Sequence, residues 1–280
     1  MMGTAMLYEF RRATTLRTTW VFLAIAFAMG ALTTWPQYLM LNNGSTLNFA
    51  QLITRVTSVY QLTIFVIAAF AALSWGHEFR FGLNRLTLSA FPKRWPVFAA
   101  KTIGIVLFSS LAWLVSAIGG TALLQLIDKG KHVSYTLGDV TVQNLSTPAF
   151  DTTGPTVSME SFTAWHVLGR SLVFVVVYSL IVGAVTALTR NLTLALIVPN
   201  VLMLFAETVL VMVGALINHG TANALNQILP FVNGQRFAEW STKGQNASEM
   251  VPPMQSTTVF VGWAVLLLVV AAFAYQKRDA

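Results

Sequence analysis

The feature that most constrains the fold is a series of long apolar stretches separated by polar connections. A helix needs about 20 mostly apolar residues to cross a bilayer. Six stretches are long enough: 19–40, 54–75, 97–127, 162–188, 192–217 and 256–275. The sequence therefore predicts an all-α, polytopic membrane protein in which residues 1–280 form a single transmembrane domain with six spanning helices.

The scarcity of charge supports the same class. Only 10% of the 280 residues are charged, whereas ordinary soluble domains are about a quarter charged. The net charge is +7. In a membrane protein such an excess of basic residues reflects their enrichment on one side of the bilayer, so no nucleic acid is expected as a partner. The chain contains no cysteine, which excludes disulfides and thiolate metal sites.

Lysine and arginine are unevenly distributed between the two sides that six spans would create. Most lie near the termini or in the connections 76–101 and 189–191. The positive-inside rule therefore predicts that both termini and these connections are cytoplasmic. It leaves two sizeable extracellular segments, 128–160 and 218–255. In the first, apolar residues alternate with polar ones on both sides of Gly138-Asp139, which predicts a β-hairpin.

The connection between the second and third spans is rich in polar residues. Over 78–90, apolar residues at helical spacing predict a short helix with one apolar stripe. Its opposite face carries two apolar residues and a base, which are Phe81, Leu88 and Arg85. The pattern fits either a helix that anchors the connection at the membrane surface or a helix that docks a cytoplasmic partner.

Three stretches resemble the permeases of ABC-2 type transporters. "WGHEFRFGLNRLTLSAFPKRWPVFAAK" (75–101) resembles their first cytoplasmic segment, where Glu–aromatic–Arg–x–Gly precedes a hydrophobic helix, a Pro–basic step and a Lys that opens the third span. "YEFRRATTLRTTWVFL" (8–23) is similar to their amphipathic N-terminal segment. "LNQILPFVNGQRF" (225–237) resembles the Leu-Pro…Gly-Gln element before the last span in actinobacterial members.

The resemblance implies the membrane subunit of an ATP-driven exporter in a bacterial plasma membrane. Such a permease pairs with a second permease, identical or different, and with two ATP-binding cassette ATPase subunits. The helix at 78–90 would be the coupling helix held by the ATPase, and residues 4–18 would lie along the membrane. The residues that the resemblance assigns to coupling are Glu78, Arg80, Phe81, Gly82, Asn84, Arg85 and Leu88.

The motor itself is not expected in this chain. A phosphate-binding loop needs Gly-x4-Gly-Lys-Ser/Thr, and the only Gly-Lys pair, Gly130-Lys131, is followed by His132. We therefore expect no enzymatic activity and no cofactor here, with ATP and Mg²⁺ held by the partner ATPase subunits. In this family spans two and five line the interface between permeases. Both are apolar here, which favours a lipophilic or amphipathic cargo such as a drug, antibiotic, peptide or lipid.

Charged residues inside or at the ends of spans are the other candidate site. Glu207 and Arg170 fall within predicted spans, and Arg55 lies at the end of one. An ionisable group in a bilayer is costly unless it faces water or a partner. These residues therefore belong either to a polar spot on the substrate path or to a structural ion pair between Glu207 and Arg170.

Two other functions stay open from the sequence alone. An ion-coupled secondary transporter needs intramembrane ionisable groups and usually carries internal repeats, and the chain has the former but shows no repeat. A non-transporting immunity or sensor protein would use the long extracellular segments to hold a peptide.

Overall fold

The protein is a bundle of α-helices with two small β-sheets. The computed structural model describes residues 2–41, 47–48, 63–82, 87, 89, 93–128, 133–134, 140–144, 158–162, 164–239 and 253–277. The helices are α1 (Met2–Thr15), α2 (Arg17–Leu41), α3 (Thr63–Arg80), α4 (Arg94–Asp128), α5 (Ala164–Thr189), α6 (Leu192–Val201), α7 (Glu207–Ile217), α8 (His219–Ile228), α9 (Pro230–Glu239) and α10 (Pro253–Lys277). A π-helical segment, Leu202–Ala206, joins α6 to α7 without a break.

Within the described residues, five helical stretches are long and apolar enough to cross a membrane: 17–35, 94–127, 168–189, 192–217 and 254–277. They coincide with the first, third, fourth, fifth and sixth predicted spans, so the helical class is confirmed, and the length and apolar composition of these helices suggest a membrane protein. The second predicted span, 54–75, is represented by α3 from Thr63 onward. Residues 54–62 lie outside the described part of the chain, so a sixth crossing stays a prediction.

The helix ends meet at one end of the bundle. The Arg94 side chain at the start of α4 donates to the carbonyls of Tyr275 and Gln276 in the last turn of α10, at 3.3 Å each. A Cβ added to Gly76 near the end of α3 would lie only 2.8 Å from Leu192 Cδ1 at the start of α6. α1 packs beside the same helix ends, mainly on α4. We call this end of the bundle the α1 end.

α2 and α4 cross with their backbones almost in contact. Gly30 of α2 lies against the backbone carbonyl of Ser116, and Gly119 of α4 lies against that of Phe27. A Cβ at either glycine would overlap with that carbonyl. Small residues permit close helix approach in membranes, where association depends on packing more than on exclusion of water.

The core is built around α5, whose apolar window is the most buried of the five. The Phe174 ring stacks on Phe260 of α10, with centroids 5.2 Å apart. The next turn of α5 places Tyr178 against Phe231 of α9, at 5.7 Å. The hydroxyl of the buried Tyr178 donates to Asn200 Oδ1 of α6 at 2.6 Å, which satisfies this polar group inside the bundle.

The short strands pair differently from our prediction. β1 (Leu47–Asn48) pairs in parallel with β2 (Val133–Ser134), and β3 (Val140–Asn144) pairs antiparallel with β4 (Ser158–Phe162). The predicted hairpin across Gly138-Asp139 is therefore wrong, because β2 and β3 each pair with a more distant segment. Alternation identifies strands, but it does not choose between competing partners.

The described part of the segment between the last two spans is helical. Asn218 caps α8, because its side chain accepts from the Thr221 backbone N–H at 2.7 Å. Pro230 occupies the first position of α9, a position at which a backbone N–H has no partner within the helix. α8 and α9 are therefore two consecutive helices joined at Leu229, and we call them the α8–α9 pair.

Candidate functional site

Four charged side chains form a closed ring between α1, α3 and α4, and we call it the ionic ring: Glu9, Arg12, Glu78 and Lys101. Lys101 Nζ lies 2.6 Å from Glu78 Oε1 and 3.0 Å from Glu9 Oε1. Arg12 Nη1 contacts the same Glu78 oxygen and lies 3.5 Å from Glu9 Oε2. Each cation contacts both carboxylates. The two positive and two negative charges balance, so the ring carries no net charge.

Half of the ring is nearly removed from solvent. The Lys101 side chain is 0% exposed and that of Glu78 is 4% exposed, while those of Glu9 and Arg12 are 14% and 20% exposed. The Lys101 ammonium also lies 5.5 Å from the Trp75 ring centroid, a favourable position for a cation over an aromatic face. Buried charges are tolerated when paired, while removal of one partner leaves an uncompensated charge. The ring therefore fixes how α1, α3 and α4 sit at the α1 end.

Sequence reasoning missed this ring. Glu9 and Arg12 occupy adjacent turns of α1, but Glu78 and Lys101 come from distant parts of the chain. One signal was present: Lys101 lies four residues inside the predicted span 97–127. A lysine within an apolar span requires an acidic partner, and Glu78 and Glu9 were the available acids near span ends.

The structure separates the residues that the resemblance assigned to coupling. Residues 78–80 form the last turn of α3, so the prediction that a new helix begins at Glu78 is wrong. Glu78 is 3% exposed and belongs to the ionic ring. α3 continues beyond residue 75, and this places Glu78 in contact with Arg12 and Lys101 inside the bundle. It ends at Arg80, two residues before Gly82, whose φ of +65° is a left-handed conformation that favours glycine.

Arg80 and Phe81 lie on the surface instead. Phe81 is 59% exposed. The Arg80 guanidinium lies 5.6 Å from its ring centroid, and the His77 ring lies 4.6 Å from it. We call His77, Arg80 and Phe81 the Phe81 patch. Asn84, Arg85 and Leu88 lie outside the described residues, while the described Thr87 and Ser89 have helical backbone.

A cavity of about 650 Å³ lies beside the ionic ring, between α1, α2 and α3. Apolar side chains of Phe22, Phe70 and Leu73 line much of it, and Arg12 and Glu78 form part of its wall. Thr87 also lines the cavity and is 7% exposed. Thr87 therefore lies at the same cavity as Arg12 and Glu78 of the ionic ring.

The Glu207 carboxylate is hydrogen-bonded by a backbone N–H group and not by an arginine side chain. Glu207 is 2% exposed and accepts from the Val232 backbone N–H at 2.7 Å, in the first turn of α9. Arg170 is 4% exposed. Among the residues that the structure describes, no ion pair joins Arg170 to Glu207. Arg55 lies outside those residues.

α9 is held on the fifth span at a second point. Gln235 Nε2 donates to the Met203 carbonyl at 3.3 Å, inside the π-helical segment that precedes Glu207. Within the α8–α9 pair, Arg236 donates to the backbone and side-chain oxygens of Asn226 at 3.0 Å each. The residues of "VNGQR" (232–236) thus place α9 against the irregular part of the span.

The described part of the chain contains no group of three or more His, Cys, Asp or Glu residues arranged to hold a metal ion. A scan against protein-family models gave no match, and a search of curated proteins gave no significant match. Function is therefore inferred from the geometry of this chain and from the resemblance of its segments.

Proposed function

We propose that the chain is the permease subunit of an ATP-driven ABC-2 type exporter in a bacterial plasma membrane. The observation that supports this most is the Phe81 patch at the α1 end. The patch is an exposed aromatic and basic surface. In the sequence it lies next to Glu78, a buried member of the ionic ring. A partner that binds this patch would act on a firmly held junction of three helices, as a motor subunit must.

A second permease subunit would bind the fifth span. α6, α7 and the π-helical segment between them present a long, exposed apolar face. Its members include Phe205, Met212 and Leu216, which are 64%, 68% and 85% exposed. α3, by contrast, is buried along much of its length. In this proposal the fifth span contributes more to the interface between permeases than the described part of the second span does.

In the proposed cycle, both termini and the connection 81–93 are cytoplasmic. Two ATPase subunits, which bind ATP and Mg²⁺, close on the Phe81 patches of two permeases. The movement would pass through the ends of α3 and α4 into the spans, which would then alternate between inward-open and outward-open arrangements. The apolar faces at the interface favour a lipophilic or amphipathic cargo, and a strictly hydrophilic cargo in an export assay would contradict that part.

Copurification in mild detergent tests the assignment. The tagged chain is compared with Phe81→Asp, and the control is Phe10→Asp, which makes the same change at a phenylalanine of α1 that is 60% exposed. We expect an ATPase with a phosphate-binding loop to copurify with the wild type and the control and to be lost with Phe81→Asp.

Absence of any such ATPase from the wild-type preparation would contradict the proposal. Cargo transport that survives ATP depletion and stops with uncouplers would favour an ion-coupled transporter instead. A chain that binds an extracellular peptide and transports nothing would favour an immunity or sensor protein.

A further inference from the structure

An open groove of about 410 Å³ lies between α4 and α10. One wall is formed by residues between 95 and 103, in the first turns of α4, and the other by residues between 268 and 276, near the end of α10. Trp95, Val269 and Phe273 line the groove and are exposed, so it opens to the outside of the bundle. Its volume is within the range of about 300–1,000 Å³ that is usual for ligand sites. Both walls belong to helices that are long and apolar enough to cross a membrane, so the groove would face lipid.

The lining of the groove is apolar except at the α1 end. In its interior the hydroxyl of Thr102 donates to the Phe98 carbonyl at 2.9 Å. The side chain of Gln276 and the indole of Trp95 lie at the α1 end, where α4 begins and α10 ends. A polar ligand would lose hydration in this interior without gaining hydrogen bonds. The groove therefore fits a hydrocarbon chain whose polar group lies at the α1 end.

The length of the groove matches one leaflet of a bilayer. It extends along α10 from Leu268 to Gln276, which is about 12 Å at about 1.5 Å per residue. Half of a hydrocarbon core of about 30 Å is about 15 Å. Trp95 stands at the polar end, and tryptophan is enriched where the hydrocarbon core meets the headgroups. The groove therefore covers the depth that one acyl chain occupies in the leaflet at the α1 end.

The polar end of the groove is basic. Arg94 donates to the carbonyls of Tyr275 and Gln276 at this point. The neighbours of that contact in the sequence, Lys93 and Lys277, are both exposed. The one acid that α4 and α10 carry, Asp128, lies at the opposite end of α4. Basic pockets between spanning helices bind anionic lipid headgroups.

The residues that follow Lys277 do not change this balance by their charge. Arg278 and Asp279 carry opposite charges and lie outside the described residues. Glu9 and Glu78, the acids of the ionic ring at the same end, are paired with Arg12 and Lys101. The charge that complements the polar end of the groove is therefore negative.

We infer that this groove binds one anionic phospholipid, with an acyl chain between α4 and α10 and the phosphate at Lys93, Arg94 and Lys277. Such a lipid would connect the third and sixth spans. An apolar helix of another protein could fill the groove, but it would leave the basic end without a counter-charge. The inference goes beyond the proposed function and does not depend on it, because it requires only that α4 and α10 cross a bilayer.

Phosphatidylglycerol with a photoactivatable diazirine in its acyl chain tests the site on the purified protein in nonionic detergent. Cross-linked residues are located by peptide mass spectrometry. We expect cross-links within 95–103 and 268–276 that excess unlabelled phosphatidylglycerol abolishes and phosphatidylcholine with the same chains does not. Equal competition by the two lipids, or cross-links spread evenly over the spanning helices, would overturn the inference and indicate unspecific surrounding lipid only.

The headgroup contact is tested by removing the two exposed lysines. Lys93→Gln/Lys277→Gln should raise the phosphatidylglycerol concentration for half-maximal cross-linking by about tenfold, because basic residues near the headgroups attract anionic lipids. The control Arg11→Gln/Arg17→Gln removes the same charge from exposed positions of α1 and α2 and should leave that concentration unchanged. An equal effect of both double variants, or no effect of the lysine pair, would overturn the inference.

The acyl-chain contact is tested by filling the groove. Ala99 lines it, so Ala99→Phe would place a ring in the path of the chain. The control Ala122→Phe makes the same change at another half-buried alanine, near the far end of α4. We expect Ala99→Phe to lose the cross-links within 268–276 and the control to keep them. Retention of those cross-links in Ala99→Phe would overturn the inference, as would a photoactivatable maleimide on Phe273→Cys that cross-links to a second copy of the chain instead of lipid.

Discussion

At the scale of single residues, Glu207 shows how a carboxylate is kept inside an apolar bundle. Its carboxylate accepts the Val232 N–H in the first turn of α9, where helix N–H groups lack helical partners and the helix dipole favours negative charge. The interaction also joins the span that carries Glu207 to α9. Its role in this structure is to hold two elements together.

Two substitutions separate the hydrogen bond from the charge. Glu207→Gln keeps an acceptor for the Val232 N–H, so we expect it to lose only the interaction with the helix terminus, about 1 kcal/mol. Glu207→Leu leaves that N–H without an acceptor and should cost about 1–3 kcal/mol. Thermal unfolding in detergent, followed by tryptophan fluorescence, should rank Leu below Gln and Gln below the wild type. Equal unfolding temperatures for all three would contradict this role.

At the scale of elements, the α2–α4 crossing depends on the absence of side chains at two glycines. Gly119→Ala would place a methyl group against the Phe27 backbone carbonyl, which cannot move aside as a side-chain end can. We expect the helices to separate and stability to fall by about 1–3 kcal/mol, the usual effect of overpacking. The measurement is the unfolding temperature of the purified protein in detergent.

The control for this change lies on the same helix. A Cβ at Gly104 meets nothing within 4 Å. Alanine is favoured over glycine in helices by about 1 kcal/mol, so Gly104→Ala should leave stability unchanged or raise it. If Gly104→Ala proved as destabilising as Gly119→Ala, the close crossing would not be the cause.

Hydrophobic length predicted the elements well, because crossing a bilayer imposes a length that is visible in the sequence. The predicted spans 97–127 and 256–275 differ from Arg94–Asp128 and Pro253–Lys277 by a few residues. Contacts between distant residues were not predictable in the same way. Glu78 was assigned to an exposed helix because its local pattern is amphipathic, but its partners, on α1 and α4, come from other parts of the sequence.

At the scale of the whole molecule, the account requires that α1, the connection 81–93 and the end of α10 lie on one side of the membrane. Single cysteines at Gly3, Lys93 and Gln276, all exposed, should label from the cytoplasmic side. A cysteine at Gln125, exposed near the far end of α4, should label from the opposite side. Labelling of Gly3→Cys and Gln276→Cys from different sides would contradict an even number of crossings.

In the proposed function an ATPase binds the Phe81 patch, and site-directed cross-linking in native membranes detects that contact. Phe81→Cys, the only thiol in the chain, is labelled with a photoactivatable maleimide, and Gln276→Cys at the same end of the bundle is the control. We expect a cross-linked product between Phe81→Cys and an ATP-binding cassette ATPase, with little or none from Gln276→Cys. Efficient labelling of Phe81→Cys without any ATPase product would contradict the exporter assignment.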